Sequence, residues 1–180
     1  MKKRLLLASL TLTLATSLQS CFSQKVVINR EVESQADGKM LLGHQALEQF
    51  KKAPYADWFT EEYNKYQTET ETVSRLKKEK LNSYNLVVFV GTWCGDSHRE
   101  FPRLIKILDE TGFNYGKMDI IAVNRKKESP SGEEGIYNIH KVPTIIVRKY
   151  GKEVGRITEM PETGYLERDL LNILKKQDSK

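Results

Sequence analysis

The run Val87-Val88-Phe89-Val90-Gly91 constrains this chain more than any other part of it. It is short, continuously apolar, rich in β-branched and aromatic residues, and closed by a glycine. Such a strand is buried on both faces, which requires a sheet covered by helices. Thr92-Trp93-Cys94 follows at once, and from Ser97 to Glu110 the pattern is that of an amphipathic helix. Phe101, Leu104, Ile105 and Leu108 there fall on i, i+3, i+4, i+7 spacing. Pro102 lies inside the helix, where it removes a hydrogen bond and is expected to kink it. A thiol at the junction of strand and helix sits among unpaired N–H groups at the positive end of the helix dipole, and that favours thiolate. Cys94 is therefore the place where chemistry concentrates.

Downstream the elements follow in a regular order. Lys117–Asn124 reads as a second strand, carried by Met118, Ile120, Ile121 and Val123. Residues 125–135 read as a loop by composition, and a short helical turn is expected around Ile136–Ile139. Thr144–Lys149 and Glu153–Thr158 form a hairpin across Tyr150-Gly151-Lys152. A helix over 162–176 closes the chain, with Leu166, Leu170, Ile173 and Leu174 facing inward. The order β-α-β-α-β-β-α predicts an α/β fold, a small mixed sheet with helices on both faces.

The N-terminus has a separate logic. Met1-Lys2-Lys3-Arg4 is basic, and Leu5 to Leu18 is a leucine-rich run broken by Ser, Thr and Ala. That run falls short of the ~20 apolar residues that span a bilayer, so residues 1–20 read as a signal peptide. Leu18-Gln19-Ser20-Cys21 resembles a lipobox, with Gln19 departing from the usual small residue. A lipid on Cys21 would anchor the protein to a membrane outside the cytoplasm. An ordinary secretory peptide is the alternative. Removing Lys2, Lys3 and Arg4 from 29 basic residues against 24 acidic leaves a net charge of about +2, too weak to argue for nucleic acid. With Cys21 lipidated, Cys94 is the mature chain's single thiol; a Cys21–Cys94 bridge is the alternative.

Residues 21–41 are polar and mixed and read as a flexible tether. Residues 42–83 read as a helical extension, with a short helix over 44–52, a break at Pro54 and a longer helix to Tyr66. Tyr55, Trp58, Phe59, Tyr63 and Tyr66 make one aromatic face there, either core packing or a partner-binding groove. Residues 69–82 read as a polar helix whose Arg75, Lys77, Lys78 and Lys80 form a solvated face or a membrane-surface patch.

From about residue 84 to 177 the chain resembles the thioredoxin superfamily. Trp93-Cys94-Gly95 follows the apolar strand as in the Trp-Cys-Gly-x-Cys signature, and Pro102 matches the proline of the active-site helix. Val142-Pro143-Thr144 resembles the Ile/Val-Pro-Thr element whose X-Pro bond is cis beside the thiol, and Tyr150-Gly151-Lys152 matches the hairpin turn. The resemblance implies a thioredoxin-like fold with catalytic roles for Cys94, Trp93, Asp96, Ser97 and Pro143. It also implies substrate contacts at Gly95, Val142 and Thr144, without a cofactor.

Two departures narrow the chemistry. Ser97 stands where the second cysteine belongs, and Val88 where the family often carries a buried Asp. A dithiol enzyme resolves its mixed disulfide with the second thiol. Here an external thiol, or the substrate's own second cysteine, must do so, as in the Cys-Gly-x-Ser branch of glutaredoxins. The partners expected are thus a protein or small-molecule disulfide and a small resolving thiol. Ser97 would donate its hydroxyl hydrogen to the thiolate. Asp96 opposes the thiolate by on the order of 1 kcal/mol at ~7 Å and an effective dielectric of ~40, or simply favours the first helical turn. Two other readings remain: a binding module in which Cys94 is a relic, and a copper site using Cys94, His98 and His140.

Overall fold

A computed structural model describes residues 27–178. The expected signal peptide over residues 1–20 and the expected lipid site Cys21 lie outside the described residues. The strands are β1 (Arg30–Ser34), β2 (Gly38–Gln45), β3 (Asn85–Val90), β4 (Met118–Ala122), β5 (Thr144–Lys149) and β6 (Lys152–Thr158). The α-helices are α1 (Ala56–Lys65), α2 (Thr70–Lys78), α3 (Gly95–Thr111), α4 (Glu133–Ile136) and α5 (Leu166–Asp178). One six-stranded sheet runs in the order β1-β2-β4-β3-β5-β6. β3 is parallel to β4, and every other neighbouring pair is antiparallel.

The central strand behaves as its composition demands: Leu86 to Val90 are each at most 1% exposed. Leu86, Val88 and Val90 face α3 and α5, in a core that also takes in Phe101, Leu104, Ile105, Leu108, Leu170 and Leu174. Val87 and Phe89 point the other way. They meet Ile121, Val123, Ile139, Val142 and Ile146, with Trp93, Cys94 and Tyr137 at the edge of that cluster. The alternation of a buried strand thus builds two cores, and the thiol belongs to the smaller one. α4 and its flanking loops lie on this second side; the helical turn expected around Ile136–Ile139 comes earlier, over Glu133–Ile136.

Helix α1 packs on the outer side of α3. Tyr55, Phe59 and Tyr66 are buried, and Phe101 meets both Phe50 and Phe59 ring to ring. The aromatic stripe is core packing, which takes most of its rings away from any partner. α2 lies against α3 and α5.

Two expectations are corrected. The tether over 21–41 does not extend through its second half, because residues 30–34 and 38–45 form a hairpin. The helical extension over 42–83 begins as strand, and the helix over 44–52 is reduced to a 3-10 turn at Leu47–Gln49. The reason is tertiary pairing: Gly43, His44 and Gln45 pair with Ala122, Ile121 and Ile120 of β4. The hairpin therefore extends the same sheet that carries Cys94, and the boundary expected at residue 84 does not divide it.

Candidate active site around Cys94

Strand β3 delivers Gly91 to the edge of the sheet. The chain then turns, closed by a 2.9 Å bond from the Cys94 N–H to the Gly91 carbonyl. Cys94 is the N-cap of α3, in extended conformation (φ −103°, ψ 122°), and its carbonyl accepts the first helical bond from His98 at 3.0 Å. The first N–H groups of a helix have no partner within it, so the sulfur stands over the positive end of a 17-residue helix.

The Val142–Pro143 peptide bond is cis. The Cys94 thiol donates a hydrogen bond of 3.3 Å to the Val142 carbonyl oxygen. Cys94, Val142 and Pro143 are thereby brought together from positions 48 residues apart. Thr144 is buried, opens β5 opposite Phe89, and donates its hydroxyl to the Lys141 carbonyl at 2.8 Å. Gly95 is exposed, with nothing within 4 Å of where a Cβ would stand, so the space beside the thiol is open.

Trp93 is fixed by a hydrogen bond and by close packing on the same edge of its ring. Its indole N–H donates to the Val123 carbonyl at 2.8 Å. Its ring lies so close over Gly91 that a Cβ there would sit 2.7 Å from a ring carbon. Only glycine leaves that space.

Ser97 takes a different role from the one expected. It is 1% exposed, and its hydroxyl oxygen accepts from the Gly91 N–H at 3.1 Å. Among the described residues it makes no hydrogen bond to the Cys94 sulfur. The hydroxyl satisfies the backbone at the end of β3, where an unpaired N–H would be costly. Asp96 pairs with Arg99 at 2.9 Å, and Arg99 also bonds Glu100 at 2.6 Å. Hydrogen bonding to Glu100 comes first among the effects that hold Arg99 above its usual pKa, with Asp96 adding to it. The charge of Asp96 is therefore partly answered by its own helix.

The proposed copper ligands are not gathered. The His98 Nε2–H donates to the Thr92 carbonyl at 2.8 Å, and the ring stacks on Trp58 with centroids 4.3 Å apart. His140 is exposed and bonds Asn138. Among the described residues no three His, Cys, Asp or Glu side chains come together as a metal site, and no helix is long and apolar enough to cross a membrane.

Two contacts at the site had no counterpart in the sequence reading. Thr92 Oγ1 accepts from the Leu41 N–H at 3.2 Å, tying β2 to the cysteine loop. Asp37, in the β1–β2 turn, holds Arg125 with both carboxylate oxygens, and the Arg125 guanidinium lies 5.1 Å from the centre of the Trp93 ring. The basic run Arg125-Lys126-Lys127 was a visible signal; its partner 88 residues earlier was not.

No family model matches the sequence, and no curated protein matches it. Among solved structures, an HIV epitope scaffold is similar at a TM-score of 0.52 and 14% identity, over 72% of this chain and 87% of its own. A Pseudomonas aeruginosa protein of unknown function is similar at 0.51 and 15%, over 71% and 86%. Mitochondrial thioredoxin 3 of Saccharomyces cerevisiae matches at 0.37 and 22%, over 64% and 98%. The fold is thioredoxin-like. The strand order β4-β3-β5-β6, the parallel β3–β4 pair, the closing antiparallel hairpin and the cysteine at a helix N-terminus facing a cis proline define it.

Proposed function

We propose that this protein carries out monothiol thiol–disulfide exchange through Cys94, with an external thiol completing the cycle. The observation that carries the reading is the contact of the Cys94 sulfur with the Val142 carbonyl at 3.3 Å, beside the cis bond to Pro143. It leaves a half-exposed thiol at a helix N-terminus next to open space at Gly95. An extended chain bearing a disulfide fits beside such a backbone edge.

In the exchange the thiolate attacks one sulfur of the substrate disulfide. A Cys94–substrate S–S bond forms, the substrate's own S–S bond breaks, and the second substrate sulfur leaves as thiolate. A small thiol, or that departing sulfur, then attacks the mixed disulfide and frees Cys94. Deglutathionylase-like and isomerase-like turnover both follow this course. Trp93 and Pro143 wall the sulfur, Ser97 and Asp96 shape the loop and first turn, and Gly95, Val142 and Thr144 border the substrate. The protein works outside the cytoplasm, tethered through a lipid on Cys21, with residues 1–20 removed.

The test is adduct formation. The Cys21→Ser chain, incubated with a disulfide, should form a mixed disulfide visible by mass, and the Cys21→Ser/Cys94→Ala chain should form none. Equal labelling of the two would defeat the reading. Persistence of a partner complex in Cys94→Ser, with no exchange in wild type, would favour the binding module instead.

A further inference from the structure

The loop after β4 places two cations against the tryptophan that precedes the thiol. Arg125 lies 5.1 Å and Lys127 5.8 Å from the centre of the Trp93 ring, the residue directly before Cys94. The loop is held by Asn124, whose side-chain oxygen accepts from the N–H groups of Lys126 and Glu128 at 2.9 and 3.0 Å. Its carbonyl also accepts from the Lys127 N–H at 2.8 Å. Cation–π attraction then keeps both charges over the indole.

The two cations differ in what answers them. Arg125 is gripped by Asp37, which accounts first for its raised pKa, and a charged Cys94 sulfur adds to the rise. Lys127 makes no ion pair among the described residues, and Lys126 beside it is exposed. Around the sulfur, Asp96 is paired with Arg99, and the Pro143 side brings the Val142 carbonyl and Lys141, itself paired with Glu159. Asp37 offsets Arg125, and Glu128, whose carboxylate accepts from the Asn124 side chain at 2.9 Å, offsets one of Lys126 and Lys127, so the loop keeps one positive charge in surplus.

We infer that Arg125 and Lys127 select substrates, favouring disulfides that carry carboxylates next to their sulfurs over neutral or cationic ones. This rests on the proposed exchange at Cys94 and names its substrate class. The chemistry is one exchange: the Cys94–S bond to the acidic half forms, the S–S bond breaks, and the other half leaves as thiolate. A single charge at ~7 Å with an effective dielectric of ~40 to ~80 changes encounter and attack by roughly three- to eight-fold, and salt weakens it.

The test compares rates, so that the thiolate fraction cancels. The full chain carrying Cys21→Ser is reacted with dithiobis(nitrobenzoate), which is anionic, with cystamine, which is cationic, and with neutral dithiodipyridine. The anionic-to-cationic rate ratio should exceed that of free cysteine. It should fall roughly three- to eight-fold in Lys127→Met and at least as far in Arg125→Met, and decline with added salt. Lys152→Met, at the start of β6, should leave it unchanged. A ratio that stays at the wild-type value in both site variants, or falls equally in Lys152→Met, overturns the inference while exchange itself stands. Failure of Cys94 to react with any of the three reagents removes both.

Discussion

The hydroxyl oxygen of Ser97 accepts a hydrogen bond from the Gly91 N–H at 3.1 Å, so the residue in the place of a second thiol belongs to the end of β3. Ser97→Ala should cost about 1–3 kcal/mol in urea unfolding, because the buried N–H loses its partner. Ser97→Cys should do something different. Its thiol would lie one helical turn from Cys94, within disulfide reach. The lifetime of a Cys94 mixed disulfide, followed by mass, should drop sharply as an internal bridge displaces the substrate. An adduct as long-lived as that of the parent would show that residue 97 cannot reach the sulfur.

Gly91→Ala should disturb the site from behind. A Cβ there meets the Trp93 ring at 2.7 Å. The ring must move, putting at risk its 2.8 Å bond to the Val123 carbonyl. Overpacking of this kind costs about 1–3 kcal/mol. A lower Tm together with slower adduct formation at Cys94 is the expected pair of results.

How much of this was legible from the sequence depends on where each element finds its partner. β3, α3 and the β5–β6 hairpin carry their own signals: Leu86 to Val90 are apolar without a break, Phe101 to Leu108 keep helical spacing, and Tyr150-Gly151 supplies a turn. Cys94 and Pro143 were legible as a pair through the resemblance. The β1–β2 hairpin was not, because Arg30–Ser34 is a polar edge strand with no buried residue. His44 and Gln45 are strand only because β4 lies alongside. Ser97 was misread for a related reason, since its partner is a backbone N–H whose need depends on how the strand ends. The Asp37–Arg125 grip spans 88 residues and leaves no local trace.

Acid stability offers a test of the loop before Pro143. Ser129 Oγ lies 2.5 Å from carboxylate oxygens of both Glu133 and Glu134. Burial pushes both carboxyls up, yet the Ser129 hydrogen bonds and other contacts outweigh it and hold both below the usual value. Groups held low in the folded state stabilise it above their unfolded pKa of about 4.3, and that stability is lost as pH falls through the folded values. Ser129→Ala should therefore lower stability at pH 7 more than at pH 3. An unchanged difference between the two pH values would contradict this.

Tyr66 ties the segment between α1 and α2 to the start of α5. Its hydroxyl donates to Glu167 at 2.6 Å, and Glu167 is 0% exposed. Burial, first, and the hydrogen bond to Glu167, next, push the phenol pKa well above its ordinary range, keeping it a donor. Tyr66→Phe should cost about 1.5–3 kcal/mol, read from the shift in the urea midpoint at constant slope.

The central claim, that one sulfur does the chemistry and another molecule finishes it, is tested most directly by turnover of a glutathionylated peptide with added glutathione. The account predicts a rate that climbs with glutathione concentration in the Cys21→Ser chain and falls to the uncatalysed level in Cys21→Ser/Cys94→Ser. Turnover unaffected by loss of Cys94, or indifferent to the added thiol, would contradict it.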